Sequence, residues 1–455
     1  MTARSALRRY MLVNFLTWLP VGLMAAVMVL LMTERGLSLA QIGLAVTLYS
    51  VVTITLELPT GGLADVIGRR RVLAMSAAVT VVAYALMATA TTYWMFLVVG
   101  VLKGVARALS SGPATAWYVD TLHQLEGRDA DLKPGLARGG AMESVALCAG
   151  MLAGGAVPLA MPLLVPRDTL LPLSAPPLLG SAAALILLVV VVFALPEPAH
   201  ERRSLRAVVA EVPATVAAGV RLAVGGPVLR RLMLAAAVSG VVLTSIELLT
   251  PGRLAELAGT AEGGSLAYSV VAALGFAGSA GGQLLAPVVA RALDARSGVT
   301  ATGPSRGPSR GPSRGSVRGA IAGAVVSAGS LGVLAATAGL DGPAGLVTAG
   351  LAYVVLFVGL SVIALLCLEM THQAVTAAQR TTIGSVESLS LQAGGALGNL
   401  TLGMLATQAG PGAAWTSAAV LVLASALLYV RMPAADAGLT GSSPALGRRE
   451  RSGTD

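Results

Sequence analysis

The chain has 455 residues, 55% of them hydrophobic and 12% charged, with a mean hydropathy of +0.79. Soluble proteins carry roughly a quarter of their residues as charged types, so this composition excludes a water-soluble globular protein. The net charge of +9 would favour a nucleic-acid partner in a soluble protein. Arginines in membrane loops account for that charge here, and we expect no nucleic-acid partner.

Apolar runs of about 20 residues, the length that crosses the hydrocarbon core of a bilayer, recur along the whole chain. The first follows Arg8 and Arg9 and is too long for the apolar region of a secretory signal. The twelve predicted spans are 10–32, 41–60, 72–90, 93–118, 139–161, 171–195, 231–250, 266–290, 319–340, 344–368, 383–406 and 412–431. The pattern predicts an all-α polytopic membrane protein with twelve transmembrane helices.

The spans divide six and six. We expect an N-terminal six-helix bundle in 1–195, a cytoplasmic linker in 196–230 and a C-terminal six-helix bundle in 231–431. Weak similarity between the two halves is typical of secondary transporters. Three Gly-Pro-Ser-Arg repeats within about 294–318 predict a disordered cytoplasmic loop, and 432–455 a disordered tail.

Positive charge is distributed unevenly between the predicted loops. With both termini cytoplasmic, the segments on the cytoplasmic side hold 26 of the 31 lysine and arginine residues, as the positive-inside rule requires. Arginine far outnumbers lysine, and alanine and glycine are abundant, which suggests a GC-rich bacterial genome. We therefore expect a multi-pass protein of a bacterial plasma membrane.

The turn between the second and third spans combines glycines with charged residues. It begins at Gly61 and contains Asp65, Gly68, Arg69 and Arg70. Glycines let two helix ends approach closely, and Asp65 is placed to accept from a neighbouring helix N-terminus. The consecutive arginines cannot lie in hydrocarbon and indicate the cytoplasmic face.

This turn resembles the loop signature of the major facilitator superfamily, roughly G-x-L-A-D-x-x-G-R-R/K, found between the second and third helices of its members. Val66 departs from the signature where a basic residue is common. The preceding residues 57–60 resemble the drug-efflux-type members. The resemblance implies two six-helix bundles that transport by alternating access; a basic turn between unrelated membrane helices is the alternative.

The fourth span ends in a second stretch that resembles efflux-type members, with the pattern S-G-x-x-x-A-W-x-x-D over 111–120. The resemblance implies that Asp120 pairs with Arg69 and closes the cytoplasmic side. It also implies that Asp65 binds near Arg380, where Arg-Thr-Thr resembles the R-x-T of the family. An ordinary cytoplasmic salt-bridge cluster is the alternative interpretation of these residues.

Two cations lie deep within the fourth span. Lys103 and Arg107 are four residues apart, hence on one helix face, and roughly ten residues from either end of the run. Charges at this depth are costly in lipid and mark functional sites, so we expect them to face an aqueous cavity or an acidic partner. The family usually has an arginine just ahead of a Gln-Gly pair; here that arginine position is Gly100.

By resemblance to the family, helices one, four, seven and ten line a central cavity. The two cations favour an anionic, zwitterionic or neutral small-molecule substrate, and aromatic residues are only 4% of the chain, which is low for a pocket that stacks flat cations. The candidate cavity residues are Asn14, Trp18, Lys103, Arg107, Thr244 and Ser245.

Acidic residues inside helices are candidates for proton coupling, because a carboxyl group in a low-dielectric cavity can bind and release protons near neutrality. The first helix lacks the acid found in many drug antiporters of this family. The candidates are Glu57, Glu143, Glu247 and Glu387. Glu57 and Glu143 are placed to reach toward Arg107, whereas Glu247, near the predicted end of its helix, is also consistent with an interfacial position.

The sequence contains no hydrolytic triad, nucleotide-binding loop or metal-ligand spacing, so we expect no enzyme activity, no cofactor and no metal. The favoured function is proton-coupled efflux of a drug or small metabolite by a monomeric secondary transporter in the lipid bilayer. A nutrient or metabolite uptake carrier of the same fold is the first alternative. A non-transporting membrane sensor or scaffold is the second.

Overall fold

The computed structural model describes residues 1–127, 129–163, 166, 170–197, 214, 217, 219–295, 313–376, 379–430 and 432, without the side chains of 58, 59, 61, 62, 65 and 381. Most of the predicted linker, the predicted loop from 296 to 312, and the predicted tail apart from Met432 lie outside these residues. Helices extend into both margins of the predicted 294–318 loop, to Ala295 on one side and from Arg314 on the other.

Helices account for every regular element in the described ranges. The first half of the chain contains α1 Ala3–Ala25, α2 Met28–Glu34, α3 Leu39–Ile67, α4 Arg69–Thr89, α5 Tyr93–Ser110, α6 Pro113–Glu126, α7 Lys133–Ala160 and α8 Ala175–Ala194. The second half contains α9 Pro227–Ala258, α10 Ala261–Ala295, α11 Arg314–Ala336, α12 Gly342–Ala374, α13 Arg380–Ala409 and α14 Pro411–Tyr429.

Two predicted spans are each built from two helices. The first consists of α1 and α2, which are bent by 43° at Ala26 and Val27. The fourth consists of α5 and α6, which separate at Gly112. Gly112 has φ +94°, and Pro113 then starts α6, the first-turn position that proline favours. With each pair taken as one span, the described helices form twelve segments, in agreement with the predicted fold class.

Ten of these segments are long and apolar enough to cross a membrane, and the bent α1–α2 pair makes eleven. The remaining segment, α13, has 30 residues and carries polar side chains such as Gln392 and Asn399. It packs against α9 and α3. Because much of its surface contacts protein, α13 tolerates polar residues that a lipid-facing helix would exclude.

The two halves meet along α3 with α13 and along α7 with α10. Thr47 donates to the Ala396 carbonyl at 3.0 Å, the Ala40 amide donates to Thr407 Oγ1 at 2.9 Å, and Ser265 donates to the Gly155 carbonyl at 3.0 Å. Each of these bonds lies away from the Arg69–Arg71 turn, which we call the arginine-rich end. The halves therefore contact each other closely at the opposite end.

The turn at the arginine-rich end is a single residue, Gly68, with φ +100° and ψ 147°. The amides of Arg69 and Arg70, at the start of α4, donate to the Glu197 carboxylate at 2.9 and 3.2 Å. A helix N-terminus has free amides that an acid stabilises. The acid observed there is Glu197, which follows α8, while the side chain of Asp65 lies outside the described residues.

We expect Gly68→Ala to destabilise the protein by about 1–2 kcal/mol, because φ +100° is strained for any residue with a Cβ atom. The added Cβ would also lie 2.6 Å from Glu197 Oε1. Thermal unfolding of the purified protein measures the loss. Gly140→Ala in α7 is the control, because no atom lies within 4 Å of its new Cβ; equal melting temperatures for the two variants would contradict the expectation.

Candidate functional site

A cavity of about 550 Å³ lies between the two halves, a size typical of pockets for drug-sized molecules. Residues of α1–α5, α7 and α8 line it from the first half, and residues of α9, α10 and α12 line it from the second. Its wall is mainly apolar and includes five methionines, which adapt to ligands of different shape. These are Met24, Met28, Met32, Met87 and Met151.

Helix α5 brings Lys103 into the cavity through its close contact with α3. Gly104 faces the Tyr49 carbonyl and the Val52 side chain, where a Cβ would lie 2.8–2.9 Å away. The Lys103 ammonium lies 5.6 Å from the Tyr49 ring centre and 6.0 Å from that of Tyr84. These are distances at which an aromatic face attracts a cation.

The same packing explains why an arginine cannot occupy position 100. A Cβ on Gly100 would lie 2.8 Å from the Ala45 carbonyl oxygen of α3. A longer side chain would force α5 and α3 apart, and with them Lys103 and Tyr49. Arg107, two turns further along α5, provides a guanidinium to the cavity instead.

Arg107 stacks over Trp18 of α1, with its guanidinium carbon 4.6 Å from the ring centre. Neither Arg107 nor Lys103 forms an ion pair with a carboxylate among the described residues. The two acids predicted to reach toward Arg107 form no ion pair with it. Glu57 accepts a hydrogen bond from Ser111 at 2.9 Å, and Glu143 is within electrostatic range of Arg107 but does not line the cavity.

Glu247 lines the cavity from α9, so the interfacial position that the sequence left open is wrong. Helix α9 continues through Pro251 to Ala258, well beyond the predicted end at residue 250. This extension leaves Glu247 more than two turns inside the helix. In the described part of the chain its carboxylate has neither a hydrogen bond nor an ion pair with a side chain.

Aromatic residues concentrate at this site although they are scarce in the chain. Eight line the cavity, among them Tyr49 and Tyr84 in the first half and Tyr268 and Tyr353 in the second. The rings of Tyr268 and Tyr353 pack edge to face with centres 6.3 Å apart, and both residues are within electrostatic range of Glu247. None of these tyrosines is among the cavity residues predicted from the sequence.

Several candidates from the sequence do not line the cavity. Asn14 is buried. Thr244 and Ser245 are also buried, and their hydroxyls donate to the carbonyls of Gly395 and Val242. Glu387 is half-buried on α13, within electrostatic range of His372. Of the six predicted cavity residues, the structure brings together Trp18, Lys103 and Arg107.

At the arginine-rich end, Arg69 Nε donates to Asp120 Oδ2 at 2.6 Å, the pair that the family resemblance implied. Arg70 donates to the Val192 carbonyl, and Trp117 Nε1 donates to the Pro196 carbonyl at 2.8 Å. These contacts join α4, α6 and the end of α8, all within the first half. Arg380, at the start of α13, is exposed, and its predicted partner Asp65 has no described side chain.

We expect a double-mutant cycle of Arg69→Gln and Asp120→Asn to give a coupling free energy of about 1 kcal/mol, since the pair is short, charge-assisted and mostly buried. The Arg253–Glu256 pair is the matched control, because Glu256 is 64% exposed and its coupling should stay below about 0.5 kcal/mol. Reversible unfolding in mixed micelles measures both cycles. Equal coupling in the two pairs would contradict this expectation.

The fold is similar to that of several solved transporters. The nucleoside transporter NupG superimposes with a TM-score of 0.71 at 14% identity, over 93% of this chain and 98% of that one. A bacterial homologue of the human lysosomal transporter Spinster gives 0.68 at 15% identity, over 93% and 95%. A proton-dependent oligopeptide transporter gives 0.63 at 13% identity, over 94% and 98%. At these identities the similarity concerns the fold and not the substrate.

A search of curated protein sequences finds no match. The family model of the Major Facilitator Superfamily matches residues 10–386. That range covers most of the chain and includes the Gly61–Arg70 segment, the α5–α6 segment and every residue that lines the cavity. The chain therefore belongs to the major facilitator superfamily.

Proposed function

We propose that this protein is a proton-coupled exporter of a small metabolite or drug, working by alternating access in a bacterial plasma membrane. The observation that carries the proposal is the cavity itself. It lies between two six-helix halves and contains two cations and one acid that no described side chain neutralises. Charges at this depth are retained where they serve ligands or ions.

The contacts between the halves fit one state of an alternating-access cycle. Helices α3 and α13, and α7 and α10, meet at the end opposite Arg69. With the arginine-rich end cytoplasmic, this state is closed to the outside. The opposite state requires that these contacts separate while contacts at the arginine-rich end form, a rocking motion of two rigid halves about the central site. Gly61, Asp65, Gly68, Arg70 and Arg380 would contribute to that second closure.

Glu247 is the best placed of the four candidate acids for proton coupling. It faces the same cavity as Lys103 and Arg107, so a proton on Glu247 and a substrate in the cavity can influence each other's binding. Glu57 already accepts a hydrogen bond from Ser111, and neither Glu143 nor Glu387 lines the cavity. Antiport follows if substrate binding favours the release of this proton.

Everted membrane vesicles with an acidic lumen test the proposal, using a panel of small anionic and zwitterionic compounds. A transported compound should discharge the pH gradient, and Glu247→Gln should abolish the discharge. Glu256→Gln, an exposed acid on the same helix, should leave it unchanged. Accumulation driven by an acidic exterior in right-side-out vesicles would support the uptake carrier instead. Absence of substrate-dependent proton movement in both orientations would overturn proton-coupled transport and favour the sensor.

A further inference from the structure

The charges that face the cavity are divided between the two halves by sign. Lys103 and Arg107 both lie on α5 in the first half, whereas Glu247 lies on α9 in the second. Tyr49 is within electrostatic range of both Arg107 and Glu247, and Lys103 lies 5.6 Å from its ring centre. The cavity therefore has a cationic side on α5 and an anionic side on α9.

Lys103 and Arg107, the charges on the cationic side, form no ion pair with a carboxylate in the described part of the molecule. The Lys103 ammonium, which has three hydrogens to donate, lies 3.2 Å from the Met28 sulfur, and a thioether is a weak acceptor. The Arg107 guanidinium lies over Trp18, and no side chain among the described residues forms an ion pair with its edge, where a planar anion can bind. Two cations placed together in a mostly apolar cavity favour a carboxylate or phosphate ligand.

The anionic side offers complementary chemistry. Glu247 lines the same cavity as the aromatic residues of the second half, and Tyr268 and Tyr353 are in electrostatic range of it. The rings of Tyr353 and Phe357 are 5.0 Å apart and also line the cavity. A carboxylate beside aromatic faces is a typical site for an ammonium group. The direct ion pair between Glu247 and Lys103 that would cancel these charges is not formed.

We propose that the substrate is an amphipathic zwitterion whose anionic group binds Lys103 and Arg107 and whose ammonium group binds Glu247, with an apolar body against the methionine and aromatic wall. This inference rests on the cavity of the proposed transport function. A zwitterion satisfies both sides at once and links α5 of one half to α9 of the other. A singly charged molecule of the same size leaves the charge on one side of the cavity without a counter-ion.

Three matched probes test the proposal: 4′-(aminomethyl)biphenyl-4-carboxylic acid, its methyl ester and its N-acetyl derivative. They share one apolar body and are a zwitterion, a cation and an anion at neutral pH. The shorter 4-(aminomethyl)benzoic acid, with the same two derivatives, allows for a different distance between the charged groups. The purified, folded protein is titrated with each probe, and its melting temperature is measured at each probe concentration. The concentration dependence of the melting temperature gives the affinity for that probe.

We expect the better-fitting zwitterion to bind at least about tenfold more tightly than either of its derivatives. Glu247→Gln should remove the preference for the zwitterion over the anion while anion binding persists. The double variant Lys103→Met with Arg107→Gln should remove the preference for the zwitterion over the cation. Glu256→Gln and Arg8→Gln, exposed residues away from the cavity, should change neither preference.

This inference would be overturned if the wild-type protein bound the zwitterion and the anion equally tightly, or if it bound neither of the two zwitterions. The vesicle experiment is independent of both results. If the protein moves protons with a singly charged substrate, proton-coupled transport is supported and the zwitterion proposal is refuted. If the protein prefers the zwitterion but moves no protons, the zwitterion-binding site is supported and proton-coupled transport is refuted.

Discussion

Gly43→Leu should reduce transport at least about fivefold while the protein remains folded. Gly43 on α3 faces the backbone carbonyl of Asn399 on α13, and an added side chain would collide with it. Backbone cannot move aside as a flexible side chain can, so the halves must separate at this end. Overpacking of this kind costs about 1–3 kcal/mol, which is enough to shift a two-state equilibrium about 5- to 150-fold.

Gly332→Leu on α11 is the matched control, since no atom lies within 4 Å of its Cβ position. Vesicle transport and thermal unfolding, measured on both variants, separate a shifted equilibrium from a damaged fold. Gly43→Leu should lose transport and keep a melting temperature close to that of Gly332→Leu. Wild-type transport by Gly43→Leu would show that closure at this end is unnecessary.

Replacing both cavity cations should have the largest effect on substrate affinity. Lys103→Met and Arg107→Gln keep similar volumes but remove the charges that face the cavity. Each charge-assisted bond to an anionic group contributes about 1.5–3 kcal/mol, so each single variant should lose about tenfold in apparent affinity and the double variant about a hundredfold. The measurement is the substrate concentration that half-discharges the pH gradient. Unchanged export by the double variant would exclude these residues from the binding site.

The sequence was most informative about the spans, because the thickness of the bilayer fixes their length and composition. It could not locate the break at Ala26 and Val27, where neither glycine nor proline occurs. It also could not identify the acid at the start of α4. The acid that binds the first amides of α4 is Glu197, 128 residues away from Arg69 along the chain, and local sequence carries no signal for such a contact.

The sequence predicted the two cations and Trp18 of the candidate site but not its tyrosines. Lys103 and Arg107 stand out because charges are rare inside apolar runs. Tyr49, Tyr268 and Tyr353 do not, since a tyrosine is equally compatible with lipid, an interface or a cavity. The sequence left an interfacial position open for Glu247 because the apolar run ends at residue 250, whereas Pro251 continues the helix and places Glu247 deeper.

The central claim is that the two halves rock about the cavity, and paired spin labels test it most directly. One pair, at Thr91 and Asp341, reports the end where the halves meet in this structure, and a second pair, at Glu126 and Gln373, reports the arginine-rich end. All four residues are exposed. The native cysteines, Cys148 and Cys367, would be replaced by alanine so that only the introduced sites are labelled. In lipid nanodiscs, a change of pH or addition of a bound zwitterion should lengthen one distance and shorten the other. Two distances that stay fixed, or change in the same direction, would contradict alternating access.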